Sequence, residues 1–228
     1  MTEIDEQQNF SHLFGVVRDQ GDRPTCLAFA VSDAHAGLRD SWIPLSCEFL
    51  FYHAQRRSGR PPTVGATLPA TLDALRHDGQ PCEEKWPYLA ALPADVASWQ
   101  PPQDVGAVYQ RAGVQGQNTV HEIIAELDGG RPVLVLMNLS MSFDLAGPEG
   151  VVDLTAGEVP DITRRHAVVA IGHGTHQGRR VILVRNSWGE GWGRCGYAWL
   201  TEEFLGPRVF RLAVLTEDVN VAPPAAAA

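Results

Sequence analysis

The sequence predicts an α+β protein of two lobes, a helical N-terminal lobe and a C-terminal lobe built on an antiparallel sheet or barrel, with its site in the cleft between them. Three observations carry this expectation. Apolar residues recur at helical spacing from Leu27 to Leu75. Short β-branched runs dominate from Pro132 to Val184. Between these regions lies a stretch rich in Pro, Ala and Asp, Leu92 to Gly106, that reads as a connector. One domain over residues 1–218 is expected, with a helical lobe over about 17–105, a β-rich lobe over about 106–218 and a low-complexity tail over 219–228.

The first helix is read from Leu27, Ala30, Val31, Ala34 and Leu38, which share one face. Pro24 and Thr25 precede it, where starts and caps belong. A second helix follows Ser46, with Phe49 and Leu50 inward. A third runs through Leu68, Leu72 and Leu75 to Gly79, a residue suited to closing a helix. A fourth opens on the capping-box pattern of Thr119 and Glu122 and ends at Gly129. Strands are expected over Pro132 to Leu139, Ala167 to Gly172 and Val181 to Val184. The segment GTHQGRR turns between the last two, which makes them an antiparallel hairpin.

The 228 residues carry 44% hydrophobic and 20% charged side chains, enough for a large core without metals or disulfides. A net charge of −9 argues against nucleic acid as the partner, since phosphate contacts need clustered Lys and Arg. No apolar run approaches the roughly 20 residues of a membrane span, and the acidic start MTEIDEQQNFSHLF lacks the pattern of a secretory signal. The expected location is therefore the cytoplasm as synthesised, with delivery to another cell by a secretion system as an alternative. Cys26, Cys47, Cys82 and Cys195 form no CxxC pair and read as four reduced thiols. His173 and His176 lack an adjoining acidic or Cys ligand, so neither a metal nor another cofactor is expected.

Four residues stand out for chemistry. Cys26 falls in the first turn of a helix, where partial positive charge stabilises a thiolate. The competing reading is a small buried helix residue, as most free cysteines are. Gln20, six positions earlier in VRDQGDRPTC, places a side-chain amide near the Cys26 N–H, and two converging donors make an oxyanion hole. His166 opens an apolar strand, and one of eight histidines is as readily a surface or core residue. Asn186 leaves the next strand at the same end of the sheet and is suited to accept the imidazole Nδ1–H. Trp188 would shield that bond, and Gly189, Gly191, Gly193 and Gly196 would let the loop pack around the Trp residues.

Taken together, Q-G-x-x-x-x-C with A-F-A, H-A-V-x-x-x-G-x-G and N-S-W-G-x-x-W-G-x-x-G-Y resemble the papain-like, or C1-type, cysteine peptidases. Leu45-Ser46 and Trp86-Pro87-Tyr88 resemble further landmarks of that family, and the likeness spans Val17 to Leu200. His166 lies 140 residues after Cys26 and Asn186 lies 160 after it, close to the family's usual spacing. The resemblance implies a papain-like two-lobed fold and a thiolate–imidazolium pair of Cys26 and His166. It also implies an oxyanion held by Gln20 and the Cys26 N–H, and hydrolysis of peptide bonds through an acyl enzyme.

Some positions depart from the pattern. Arg23 stands where the family has a disulfide cysteine, and the partner cysteine around Gly65 is also missing. Leu27 replaces a Trp. The substrate cleft is expected to involve Gly65, Ala66, Thr67, Leu68 and Arg165, and the charge of Arg165 would oppose an imidazolium at His166. The implied partner is a protein or peptide substrate. Only 19 residues precede Gln20, which leads to the expectation of a peptidase made without an inhibitory pro-segment. Such an enzyme would be held by narrow specificity or by an inhibitor or immunity protein, and a toxin or effector role is one such case. Acyl transfer or ligation on the same site, and a catalytically silent binding module, are the competing functions.

Overall fold

The computed structural model describes residues 3–219, so residues 220–228 of the expected low-complexity tail lie outside the described residues. Three helices form the first lobe: α1 (Cys26–Gly37), α2 (Cys47–Ser58) and α3 (Leu68–His77). Ser46 caps α2 through its hydroxyl, which accepts the Phe49 N–H at 3.1 Å. Gly79, at φ +71°, follows α3 and donates its N–H to the Ala74 carbonyl at 3.0 Å. Thr25 precedes α1 but does not cap it with its side chain. That hydroxyl instead meets the Tyr88 hydroxyl at 2.9 Å.

The second lobe holds α4 (Val120–Asp128), two one-turn helices, α5 (Met141–Asp144) and α6 (Glu202–Leu205), and most of a sheet. Only half of the expected capping box forms at α4. Thr119 accepts the Glu122 N–H at 3.1 Å, while its own N–H goes to the Gln117 carbonyl rather than to the Glu122 carboxylate.

The strands are β1 (Asp5–Asn9), β2 (Arg111–Gly116), β3 (Val133–Leu139), β4 (Val151–Val152), β5 (Asp161–His176), β6 (Arg179–Arg185), β7 (Tyr197–Thr201) and β8 (Val209–Asp218). They join in the order β2-β8-β3-β5-β6-β7-β4, and β1 adds to β5. All pairs are antiparallel except β4 with β7. The β5–β6 hairpin turns at Gln177 (φ 51°) and Gly178 (φ 76°), the pair of positive angles that matches strand twist in a two-residue loop.

The central strands are buried on both faces. Leu134, Leu136, Ala167, Val169, Val181 and Leu183 join the core beneath α1, α2 and α3. The residues between them, Val133, Val135, Val168, Ala170, Ile182 and Val184, face a second core with α4 and α6. Two apolar faces explain why these strands read as unbroken apolar runs.

The polar N-terminal segment lies ahead of both expected lobes and joins the sheet. It supplies β1, which runs beside the second half of β5 where β3 has left off. Gly172 and Gly174 make room for it. A Cβ at either would stand 2.5 or 2.4 Å from the carbonyl of Gln8 or Asp5.

Two lobes are fastened by buried charge. Asp33 of α1 takes Arg18 at 2.5 Å on one oxygen and Arg185 of β6 at 2.7 Å on the other. Arg185 is fully buried and also donates to the carbonyls of Gly15 and Val16 and to the Tyr197 hydroxyl.

Candidate active site

Cys26 is the first residue of α1, so its backbone N–H has no partner within the helix. The backbone N–H groups of Ala167, Leu27 and Cys26 itself lie near enough to its sulfur to favour the thiolate. Ala167 follows His166 on β5, and α1 thereby brings the thiol to the start of that strand's buried run.

His166 is 4% exposed, and its Nε2 lies 2.7 Å from Asn186 Oδ1. The Ser187 N–H donates to the same Asn186 atom at 2.8 Å, which identifies that atom as oxygen. The proton between His166 and Asn186 therefore sits on Nε2. This corrects the expected bond through Nδ1 and leaves Nδ1 as the basic nitrogen. Pairing of Val169 with Arg185 explains the arrival of Asn186: the residue after Arg185 comes level with the beginning of the β5 run.

Trp188 stacks on His166 at 4.7 Å between ring centroids. Phe143 of α5 closes another side at 5.8 Å, a contact with no forerunner in the sequence reading. Phe143 is itself held by Trp192, whose Nε1 donates to its carbonyl at 2.8 Å. Gly189 (φ 70°), Gly193 (φ 58°) and Gly196 (φ 86°) all hold the left-handed backbone that favours glycine, and at the last two a Cβ would also strike the Tyr197 carbonyl oxygen at 2.4 Å or Val17 at 2.5 Å. Gly191 has open space and carries no such demand.

Gln20 is buried and its carboxamide is oriented at both ends. Oε1 accepts the Ser187 hydroxyl at 2.7 Å, and Nε2 donates to the Arg23 carbonyl at 2.9 Å. That uses one of two Nε2 hydrogens and leaves the other as a donor.

Burial opposes charging either member of the pair alone. It pushes the Cys26 thiol up, against the pull of three backbone N–H groups. It pushes His166 down to about 4, against the raising effect of its bond to Asn186. Burial thus disfavours a lone thiolate and a lone imidazolium, so either charge depends on its partner.

Arg165 is not the cation that opposes charge on His166. Its guanidinium rests over the Phe210 ring at 5.4 Å, and the cation acting on His166 is Arg164, paired with Asp144 at 2.8 Å. Leu68 is 3% exposed and belongs to the core of the helical lobe. Gly65, Ala66 and Thr67 stay half-buried, and a Cβ at Gly65 would stand 3.7 Å from the Pro24 carbonyl oxygen beside the Cys26 loop. His173 is paired with Asp128 and His176 with the Glu3 carbonyl. Among the described residues no group of His, Cys, Asp or Glu is placed to hold a metal ion, and no helix is long and apolar enough to cross a membrane.

A cysteine at a helix start, a histidine held by an asparagine and a helical lobe packed on a largely antiparallel sheet define a two-lobed protein of the thiol–imidazole class. The family model for papain family cysteine proteases matches residues 2–205, and the chain belongs to that family. A cysteine protease of Blomia tropicalis is 31% identical over 200 residues, covering 81% of this chain and 56% of that protein. Digestive cysteine proteinase 3 of Homarus americanus is 26% identical over 187 residues, covering 79% and 56%. The chain spans about half the length of the curated relatives it matches. Xylellain, a cysteine protease from Xylella fastidiosa, superposes with a TM-score of 0.70 at 21% identity, over 89% of this chain and 82% of that one. The Carica candamarcensis cysteine protease CMS1MS2, solved in complex with E-64, gives 0.70 at 19% identity over 92% and 97%. Both structures share the fold.

Proposed function

We propose that the chain is a cysteine peptidase that hydrolyses peptide bonds through an acyl enzyme on Cys26. The observation that carries this is the His166 Nε2–Asn186 Oδ1 bond of 2.7 Å, which turns the basic Nδ1 free while α1 and β5 bring the Cys26 thiol beside the His166–Ala167 peptide. As substrate enters, His166 takes the thiol proton at Nδ1 and sulfur attacks the amide carbonyl. The oxyanion receives the Cys26 N–H and the second Nε2 hydrogen of Gln20. His166 then passes its proton to the leaving amine, and water, deprotonated by His166, releases the acid and restores the thiol.

The test is mass spectrometry of a peptide library incubated with the protein and with Cys26→Ala. New termini formed only by wild type support hydrolysis. Joined peptides would mark acyl transfer instead, and an unchanged library would mark a binding module. The reading extends to a toxin or effector that acts in another cell. An open cleft in the producing cell would then call for a capping inhibitor or immunity protein, and mass action makes such capping effective at nanomolar affinity. Affinity capture from the producing cell with Cys26→Ala as bait, followed by inhibition assays on wild type, tests that partner.

A further inference from the structure

Arg23 and Glu48 form a buried, two-pronged ion pair. Arg23 Nη1 and Nη2 meet Glu48 Oε2 and Oε1 at 2.6 and 2.9 Å, and Glu48 is completely buried. Two further donors fix the carboxylate: the Leu89 N–H at 3.0 Å and Trp99 Nε1 at 2.6 Å. The Leu89 carbonyl in turn accepts Arg23 Nη1 at 2.6 Å. Arg23 and Glu48 thus hold the segment around Leu89 by its backbone on both sides.

That segment carries Tyr88, over whose ring the Arg23 guanidinium sits at 5.1 Å. The Tyr88 hydroxyl donates to the Gln20 carbonyl at 2.7 Å. Having spent its proton there, it accepts from the Thr25 hydroxyl at 2.9 Å. One phenol oxygen therefore ties the backbone of Gln20 to the residue just before Cys26. Arg23 closes the circuit from its own backbone, where its carbonyl accepts Gln20 Nε2 at 2.9 Å and the Thr25 N–H at 2.8 Å.

We propose that Arg23, Glu48 and Tyr88 are positioning residues that fix the distance between the Gln20 amide and the Cys26 N–H, the two donors assigned to the oxyanion. The proposal rests on the peptidase reading above. The Tyr88 hydroxyl bonds to the Gln20 carbonyl and the Thr25 hydroxyl, so it acts on the loop that carries both donors. An ionic clamp of this kind holds rigidly because removing either charge strands the other in the core.

The experiment compares wild type, Tyr88→Phe and the double variant Arg23→Met with Glu48→Gln. Tyr88→Phe keeps the ring and loses one half-buried oxygen, and the double variant leaves no orphaned charge, so each tests the idea in a folded protein. Hydrolysis of a fluorogenic peptide is measured beside alkylation of Cys26 by iodoacetamide. Alkylation needs the thiolate but forms no oxyanion. Loss of one oxyanion donor costs about 100-fold or more, so a displaced donor is expected to lower kcat by about 10-fold or more in both variants, with KM and alkylation within about 2-fold of wild type. In a Gln20→Ala background, Tyr88→Phe is expected to add no further loss.

Wild-type kcat in Tyr88→Phe overturns the proposal alone. So does a parallel fall in alkylation, which would place the effect on Cys26 and His166, or a full further loss in the Gln20→Ala background. A wild type without turnover overturns the peptidase reading and this proposal with it.

Discussion

Cys26→Ala and His166→Ala are expected to lower kcat/KM by at least about 10⁴-fold, since one forms the acyl enzyme and the other moves every proton. Asn186→Ala is expected to leave a remnant roughly 10²-fold below wild type, because the imidazole is then present but unaligned. Steady-state kinetics on one peptide separates the two outcomes, and equal losses at all three positions would contradict an orienting role for Asn186. The burial shifts also set a pH profile. Below about 4, His166 binds a proton and can no longer accept that of Cys26. Above the ordinary thiol value, where burial places Cys26, the pair loses its shared proton. The profile of kcat/KM is therefore expected to be flat from about pH 5 to 8, and an acid limb near 6.5 would show that burial does not govern His166. The pairing of His166 with Asn186 was legible because motif and order name residue types. The nitrogen that binds Asn186 was not, because it depends on which way a ring faces after folding. Arg165 misled for a similar reason: adjacency in sequence hid the fact that its side chain turns to Phe210 while that of Arg164 bears on His166.

Among elements, β3, β6 and the centre of β5 were legible because both of their faces are buried and their apolar runs are unbroken. β1 was not, because DEQQN is polar and mostly exposed, and only the paired glycines of its neighbour record its presence. β8 carries an apolar run from Leu212 to Leu215 that marks it as a strand, and the sequence reading passes over it. The placement of α1 against β6 depends on the Asp33–Arg185 pair, whose members lie 152 positions apart and share no sequence motif. Asp33→Asn is expected to destabilise the protein by about 3–5 kcal/mol, since the fully buried Arg185 guanidinium then lacks its countercharge. Urea unfolding monitored by tryptophan fluorescence measures this, and a change below about 1 kcal/mol would show that Gly15, Val16 and Tyr197 suffice to hold Arg185.

For the whole molecule, acid is expected to weaken the fold well before most carboxylates titrate. Burial lowers His166 and His35 to about 4, so both are neutral in the folded protein when the unfolded chain already binds protons near 6.5. Their stabilisation is complete above about pH 6.5 and is lost as pH falls toward 4, on the order of 3 kcal/mol for each. Glu83, whose carboxyl burial pushes up, acts in the opposite sense at the lower end of that range. Thermal unfolding between pH 4 and 7.5 checks the sign, and a midpoint that rises on acidification would refute it.

The seam between β1 and β5 has a further consequence, for synthesis. Asp5 pairs with Thr175 and Asn9 with Gly172, so this strand must wait for one made far later. At roughly 5–20 residues per second, that wait is on the order of 10–30 s on the ribosome. Arg185 imposes a like delay on Gly15 and Val16. The nascent helical segment can form its local turns early, but the face of the sheet that covers it does not yet exist. Contact order this high favours slow folding, with an apolar surface exposed meanwhile to chaperones or to neighbouring chains.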